Sequence, residues 1–167
     1  FTGVASSIGD GKSDIGLSSA ATNVNTFINC RTRGFGAGWS TIAANATTFI
    51  NCDAEVCTVG FRNLSCNGTT YINCWGEGCS TAELVIDRGT VHNESGVPST
   101  GSGSDYCVVE NGFWGTIQLD YAYRTRIQAK YNALSITTNT EYFETDSLNT
   151  AATYTNCLLY TSPSPRD

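Results

Sequence analysis

Short runs in which apolar and polar residues alternate are the first regular feature of this chain. The phrase NTFINC at 25–30 returns as TTFINC at 47–52 and as TTYINC at 69–74. In each copy an aromatic residue lies between polar or β-branched neighbours, with the period of two that is typical of a β-strand. The Asn that follows each run indicates a turn. The three copies therefore predict three short, equivalent strands.

The copies recur with a strict 22-residue period, no gap is needed to align them, and the register continues beyond the phrase. A strict period of this size is typical of an architecture in which each unit stacks on the next. Helical repeats need about 33 residues or more, and leucine-rich repeats need a leucine framework that is missing here. A parallel β-helix remains, in which each strand pairs with its copy about 4.8 Å along the axis. The coinciding positions are Phe27, Phe49 and Tyr71; Asn29, Asn51 and Asn73; Cys30, Cys52 and Cys74; Gly38, Gly60 and Ala82; Ile42, Leu64 and Ile86; Trp39 and Phe61; Cys57 and Cys79.

With these motifs the chain resembles the right-handed parallel β-helix superfamily, which includes pectate-lyase-like enzymes and bacteriophage tailspikes. The resemblance is carried by the three phrases and by their extensions, NCDAEVCTVGF at 51–61 and NCWGEGCSTAE at 73–83. It implies an all-β, right-handed, single-stranded parallel β-helix with 22-residue coils, stabilised by an asparagine ladder. It implies no activity, because the same coil carries lyases, hydrolases, adhesins and structural fibres.

The domain organisation follows from where the repeat is clear. Residues 1–156 are expected to form one β-helix, with clear coils at 22–87 and irregular coils at 88–156. Residues 89–95 are interpreted as a degenerate fourth coil, and the Gly/Ser/Pro-rich segment 96–105 as a loop. Residues 116–131 alternate over a length too great for one strand, which predicts a bend or two successive coil strands. The apolar face of this alternation is Ile117, Leu119, Tyr121, Tyr123, Ile127 and Tyr131.

The two ends suggest a fragment of metagenomic origin. The chain begins with Phe1 and contains no Met. Its last segment, CLLYTSPSPRD at 157–167, matches the translation of a transposase-type sequencing-library adapter, so we interpret it as a scar. A natural, disordered Pro/Ser tail is the alternative. Without this segment, seven of the eight cysteines remain.

Composition and charge exclude some partners. The net charge is -6, and no run of Lys or Arg offers an electrostatic footprint for nucleic acid. No apolar segment approaches the roughly 18 to 20 residues of a membrane span. We therefore expect neither nucleic acid nor a membrane span, and we predict a location outside the cell or on a virion surface.

The cysteines are regularly spaced, but the repeat already explains their spacing. We therefore expect no metal site and no resident cofactor, and we favour free thiols stacked in the coil interior. A disulfide between Cys57 and Cys79 is the alternative, because adjacent coils place their Cα atoms within the window of about 4.4–6.8 Å.

Carboxylates are the candidate catalytic groups. Glu55 and Glu77 occupy one slot of adjacent coils, and with Asp53 they could supply an acid/base pair or, in a lyase, hold calcium. The alternative is a solvated charge ladder, because Arg33 occupies the same slot one coil earlier and Arg31 precedes Asp53 in the neighbouring slot. The catalytic residues of pectate-lyase-like enzymes have no matching motif here.

Aromatic residues are the candidate carbohydrate contacts, because the apolar face of a sugar ring stacks on an aromatic ring. Trp75 takes the slot held by Arg31 and Asp53, so its side chain is expected to face solvent. The only basic-aromatic cluster of the chain consists of Tyr121, Tyr123, Arg124 and Arg126.

Three functions follow as hypotheses. The first is the shaft of an extracellular tailspike, fibre or adhesin that contacts a polysaccharide or cell-surface glycan and assembles as a homotrimer. The second is part of a polysaccharide lyase or glycoside hydrolase. The third is a purely structural solenoid.

Overall fold

A computed structural model describes residues 2–4, 15–20, 23–92, 98–137, 139–141, 144–145 and 152–154. All regular elements within these residues are β-strands, and no helix occurs among them. The strands are β1 Thr2–Val4, β2 Ile15–Ala20, β3 Thr26–Ile28, β4 Arg31–Arg33, β5 Ala37–Ile42, β6 Thr48–Ile50, β7 Asp53–Glu55, β8 Val59–Leu64, β9 Thr70–Ile72, β10 Trp75–Glu77, β11 Ala82–Asp87, β12 Thr90–His92, β13 Pro98–Thr100, β14 Ser104–Asp105, β15 Val108–Leu119, β16 Ala122–Tyr123, β17 Arg126–Ile136, β18 Glu144–Thr145 and β19 Ala152–Tyr154.

Equivalent strands of the repeat pair in parallel, one above the other. Strand β3 pairs with β6 and β6 with β9, so that Phe27 lies beside Phe49 and Phe49 beside Tyr71. These pairings belong to one sheet of 15 strands, which curls through 262°. Each residue of these strands pairs with the residue 22 positions further along the chain.

The stack contains five layers with three faces between residues 23 and 137. Strands β1 and β2 pair with β4 and β5 at one end of these layers, and β18 and β19 pair with β17 at the other. Bridges at Asn23, Asn45, Asn67, Asp105 and Tyr123 mark where successive layers begin, at 23–44, 45–66, 67–89, 104–121 and 122–137. Face A contains β3, β6, β9 and the first parts of β15 and β17. Face B contains β4, β7, β10 and the central parts of β15 and β17. Face C contains β5, β8, β11 and the last parts of β15 and β17.

Aromatic rings fill the interior between the faces. The rings of Phe27 and Phe49 stack with centroids 5.2 Å apart, and those of Phe49 and Tyr71 stack at the same distance. Trp39 and Phe61 of face C meet the Phe49 ring edge-on at 5.4 and 5.7 Å. Strands only three residues long gain little from their own hydrogen bonds, so this continuous core supplies most of their stability.

Asparagines form the corners between face A and face B. Asn29, Asn51 and Asn73 have φ values of 54°, 51° and 52°, in the left-handed region that Asn tolerates better than most residues. The side-chain amide of Asn51 donates to Asn29 Oδ1 at 3.1 Å, one layer below. A second amide pair joins Asn45 to Asn23 at 2.8 Å. The bond between Asn51 and Asn29 is one step of the expected asparagine ladder, and the bond between Asn45 and Asn23 belongs to a second column.

The expected register is wrong on face C of the third layer. Ile86 was predicted to lie beside Leu64, but it pairs with Asn63, and Ala82 pairs with Val59 instead of Gly60. One additional residue before β11 thus shifts the register from 22 to 23. The shift turns Leu84 into the core, where it is fully buried. In the unshifted register the period of two would point this side chain outward.

A projecting hairpin interrupts the stack after the third layer. Residues 90–92, expected within a degenerate fourth coil, pair antiparallel with Pro98–Thr100. The stack resumes at Ser104–Asp105, and Asp105 bridges to Asn67. The excursion therefore lengthens the register between these layers well beyond the 22-residue period of the first ones.

The fourth and fifth layers are smaller than the first three. Arg126 pairs with Val108, so the register falls from 22 to 18 between these layers. The corner between face B and face C is lost, and β15 runs without interruption from Val108 to Leu119. The alternating segment 116–131 is thus divided between the fourth and fifth layers, which agrees with the prediction of two successive coil strands. Its apolar face is buried except at Tyr121 and Tyr123, which are half-buried.

The buried carboxylate of Glu83 joins the third layer, which has a corner between face B and face C, to the fourth layer, which has none. Glu83 is only 5% exposed. It accepts a hydrogen bond from the backbone N–H of Cys79 at 3.1 Å and another from the N–H of Thr116 in the fourth layer. Gly115 provides the space, because a Cβ there would collide with the Glu83 carboxylate.

Candidate functional site

Two columns of side chains point outward from face B. Arg31, Asp53 and Trp75 pair in successive layers and form the first column. The second column consists of Arg33, Glu55 and Glu77, which pair in the same way. The slots deduced from the repeat are therefore confirmed, and the candidate carboxylates lie beside the candidate tryptophan on one surface.

An aromatic platform continues the first column into the fourth layer. Trp75 pairs with Phe113, and their ring centroids are 5.0 Å apart with planes inclined by 33°. Trp75 is 46% exposed, as its slot predicted. A groove of about 690 Å³ opens over this platform. Its lining consists of Trp75, Asn111, Gly112, Phe113, Gln128, Ala129 and Lys130.

A tight turn before Phe113 forms one wall of the groove. Asn111 and Gly112 both have positive φ, at 56° and 82°. Any Cβ at position 112 would collide with the backbone of Cys74, so only glycine lets the turn approach the third layer this closely. Beyond the turn, the register between β15 and β17 shifts between Glu110 and Phe113 and aligns Phe113 with Lys130.

The first-column and second-column carboxylates already have partners on face B. Arg31 Nε lies 3.4 Å from Asp53 Oδ1, and the guanidinium also bonds Glu55. Arg33 contacts the same glutamate at 3.6 Å. Glu77 Oε2 accepts a hydrogen bond from the Trp75 indole at 3.2 Å. The expected charge ladder is present, and it extends to the tryptophan.

Burial controls the acidity of Asp53. Partial burial raises the pKa of this carboxyl above its usual value, while Arg31 opposes the shift and Glu55 adds to it. The hydrogen bond to Glu55 in turn raises the pKa of the Arg31 guanidinium. Burial therefore favours the protonated form of Asp53.

The predicted basic-aromatic cluster divides into separate surface pairs. Arg124 bonds Asp105 at 2.8 Å and covers the Tyr106 ring at 4.1 Å. Arg126 forms an ion pair with Glu110 at 2.7 Å. No residue of the predicted basic-aromatic cluster lines the groove over Trp75. Tyr121 lies under the guanidinium of Arg88 at 3.6 Å, and Tyr123 is half-buried.

Of the residues that line the groove, the sequence interpretation named only Trp75 as a contact; Phe113 and Lys130 are among those that it missed. Both lie beyond the excursion, where the 22-residue period no longer assigns a residue to a slot. The available signal was local: Asn111-Gly112 is a turn dipeptide, and it indicates that the next residue starts a face. The layer below it could not be deduced from that signal.

Among the described residues, Cys52, Cys57, Cys66, Cys74, Cys79 and Cys107 are free thiols. Cys52 and Cys74 lie in the closed interior, and burial raises the pKa of both thiols, that of Cys74 to about 12. Within the described part of the chain, no group of three or more His, Cys, Asp or Glu side chains is arranged to hold a metal ion.

Comparison of the chain with protein-family models, with curated proteins and with solved structures gives no match. In the part of the chain that the structure describes, no helix is long and apolar enough to span a membrane.

Proposed function

We propose that this chain is a segment of a right-handed parallel β-helix that forms the shaft of an extracellular or virion-surface tailspike, fibre or adhesin, and that it binds carbohydrate on face B. The parallel stacking of equivalent strands, the aromatic core and the asparagine corners support this architecture. Its 22-residue coils continue as smaller ones in the fourth and fifth layers.

The exposed Trp75–Phe113 platform is the observation that carries the binding proposal. A solvent-facing indole against a second ring loses apolar contact with water when a sugar ring covers it. Polar groups beside the rings are also required, because a sugar hydroxyl must keep its hydrogen bonds when water leaves. The side chains of Asn111, Gln128 and Lys130 supply these groups around the groove.

Glycan binding tests the proposal directly. The full chain is titrated against a panel of neutral and acidic polysaccharides, and the variant Trp75→Ala should bind the recognised glycan at least about tenfold more weakly. Tyr106→Ala is the matched control, because Tyr106 is 53% exposed and lies outside the groove. Unchanged affinity in Trp75→Ala would remove the proposed site, whereas the absence of binding across the panel would support a purely structural solenoid.

A polysaccharide lyase or glycoside hydrolase is the second candidate. Two observations favour it: the pKa of Asp53 is raised, and Asp53 pairs with Trp75 in the neighbouring layer. A protonated carboxyl next to Glu55 and Glu77 could act as a general acid, and calcium would be the cation expected in a lyase. Incubation with the same panel, with assays for reducing ends and unsaturated products, distinguishes this candidate. Product should appear with the wild-type chain and be lost in Glu77→Gln.

Homotrimeric assembly belongs to the same proposal. The outward side of face A is uncharged in the first three layers, where threonine and isoleucine alternate, and Ile28 is 53% exposed. A flat uncharged face supports contact with a neighbouring copy. Light scattering of the eluting protein measures the assembly, and a monomer at micromolar concentration would contradict this part.

A further inference from the structure

Two cysteines occupy equivalent positions at the corner that follows face B. Cys57 and Cys79 come two residues after β7 and β10, in the second and third layers. The sulfur of Cys57 lies 3.1 Å from the point where a Cβ on Gly38 would stand, and that of Cys79 lies 3.2 Å from the equivalent point on Gly60. Because strands β5 and β8 stack, the two sulfurs lie one above the other. A hydrogen bond joins the two thiols.

We propose that Cys57 and Cys79 are a redox-active pair, which a hydroperoxide closes to a disulfide between the second and third layers. Neighbouring parallel strands hold equivalent Cα atoms about 4.8 Å apart, inside the window of about 4.4–6.8 Å that a disulfide requires. The corner is open to solvent on the Cys79 side, because Cys79 is half-buried, whereas Cys57 is only 3% exposed.

The chain contains a second pair at the same spacing that lacks these features. Cys52 and Cys74 are also equivalent positions of the second and third layers, but both are almost completely buried. Their thiols donate to backbone carbonyls, at 3.4 Å for Cys52 and 3.5 Å for Cys74, as the Cys57 thiol does at 3.3 Å. The difference is that neither Cys52 nor Cys74 is open to solvent. Burial keeps these thiols protonated, and a protonated thiol is a poor nucleophile. Spacing alone therefore does not select the reactive pair.

The environment of Cys57 favours a thiolate. The Cys79 thiol and the backbone at Phe35 and Gly34 interact with its sulfur. Together they lower the pKa of Cys57 to about 7, while the same contact raises that of Cys79. One sulfur is thus prepared for attack, and its neighbour holds the proton.

The reaction balances with the hydroperoxide as the oxidant. The Cys57 thiolate attacks one peroxide oxygen, the O–O bond breaks, and the leaving oxygen takes a proton, which leaves a sulfenic acid on Cys57. The Cys79 sulfur then attacks the sulfenic sulfur, the S–O bond breaks, and the oxygen leaves as water with the proton of Cys79. Two thiols and one hydrogen peroxide yield one disulfide and two waters.

Peroxide titration of the reduced full chain tests the pair. After treatment with hydrogen peroxide near pH 8, free thiols are alkylated and the unreduced protein is digested for peptide mapping. The first link to appear should join Cys57 to Cys79, at least about tenfold faster than any link between Cys52 and Cys74. In Cys79→Ser the reaction should stop at a sulfenic acid on Cys57, which a dimedone probe captures.

Matched variants and the wild-type map keep the test decisive. The double variant Cys52→Ala/Cys74→Ala should close the corner disulfide at the wild-type rate. If a variant fails to fold, the order of links in the wild-type protein still decides. A first link between any other cysteines, or full alkylation of Cys57 and Cys79 after peroxide has oxidised a small dithiol control, would overturn the proposal.

Discussion

Truncation of one core ring tests whether neighbouring layers stabilise one another through their ring contacts. Phe49 is 1% exposed and contacts four other rings, one in the layer below, one in the layer above and two across the interior. Phe27 occupies the equivalent position one layer lower. It is only half-buried and contacts two rings, those of Trp39 and Phe49. The two residues have the same chemistry and differ in their place in the stack.

The expected losses follow from this difference. Replacement of a fully buried Phe by Ala costs about 3–5 kcal/mol, which combines lost transfer free energy with the cavity that remains. Four ring contacts place Phe49→Ala near the upper end, at about 4–5 kcal/mol. Phe27→Ala removes a ring that is half solvated and can be replaced by water, so its cost should be about 2 kcal/mol.

Urea denaturation followed by circular dichroism measures both losses, and unchanged slopes would show that the same unit unfolds in each variant. Phe49→Leu, which retains most of the volume, is the control and should lose less than half as much as Phe49→Ala. Equal losses for Phe49→Ala and Phe27→Ala would refute the reasoning, because a free-standing repeat would not distinguish a central layer from its neighbour.

Two further perturbations test the packing of face C and the charge ladder. In Gly60→Ala the new Cβ would lie 2.6 Å from the backbone oxygen of Glu83, so we expect a loss of about 1–3 kcal/mol of unfolding free energy. The control Gly68→Ala should lose only about 1 kcal/mol, because its φ is 73° and the nearest atom to its new Cβ lies at 3.7 Å. The reverse order of losses would contradict the packing of face C. Because the pKa of Asp53 is raised in the folded state, its protonated form stabilises the fold, and this contribution is lost as the pH rises from the ordinary carboxyl value of 3.8 through the raised value. The melting temperature of the wild type relative to Asp53→Asn should therefore fall between about pH 3 and neutral pH, and a relative rise would show that the ion pair to Arg31 outweighs burial.

The sequence was most informative where the repeat is strict. Identical residues at a spacing of 22 predicted the stacked strands, the outward slot of Trp75 and the Arg33, Glu55, Glu77 column. These predictions depend only on the period and on the alternation of faces. The one-residue register shift on face C could also have been predicted from the sequence. Leu84 and Ile86 keep the apolar alternation only when one residue is inserted, and alternation determines burial more strongly than matching identities do.

The second half of the groove could not be predicted for a physical reason. Long-range pairing determines which earlier strand a later one covers, and the excursion at 88–103 removes the constant spacing that would have indicated it. Phe113 therefore appeared as one aromatic among several. The separation of Arg124 and Arg126 into different ion pairs has the same origin, because neighbours in sequence lie on different faces once a corner intervenes.

Because the fourth and fifth layers have a shorter register than the first ones, the stack can be lengthened by a repeat unit at some places and not at others. An additional copy of a 22-residue unit spliced between the first and second layers would meet matching corners on both sides. The same unit spliced between the fourth and fifth layers would carry a corner for which neither neighbour has a counterpart. Tandem duplication of a 22-residue unit can therefore extend the stack among its first layers, whereas the same unit does not fit among the smaller ones.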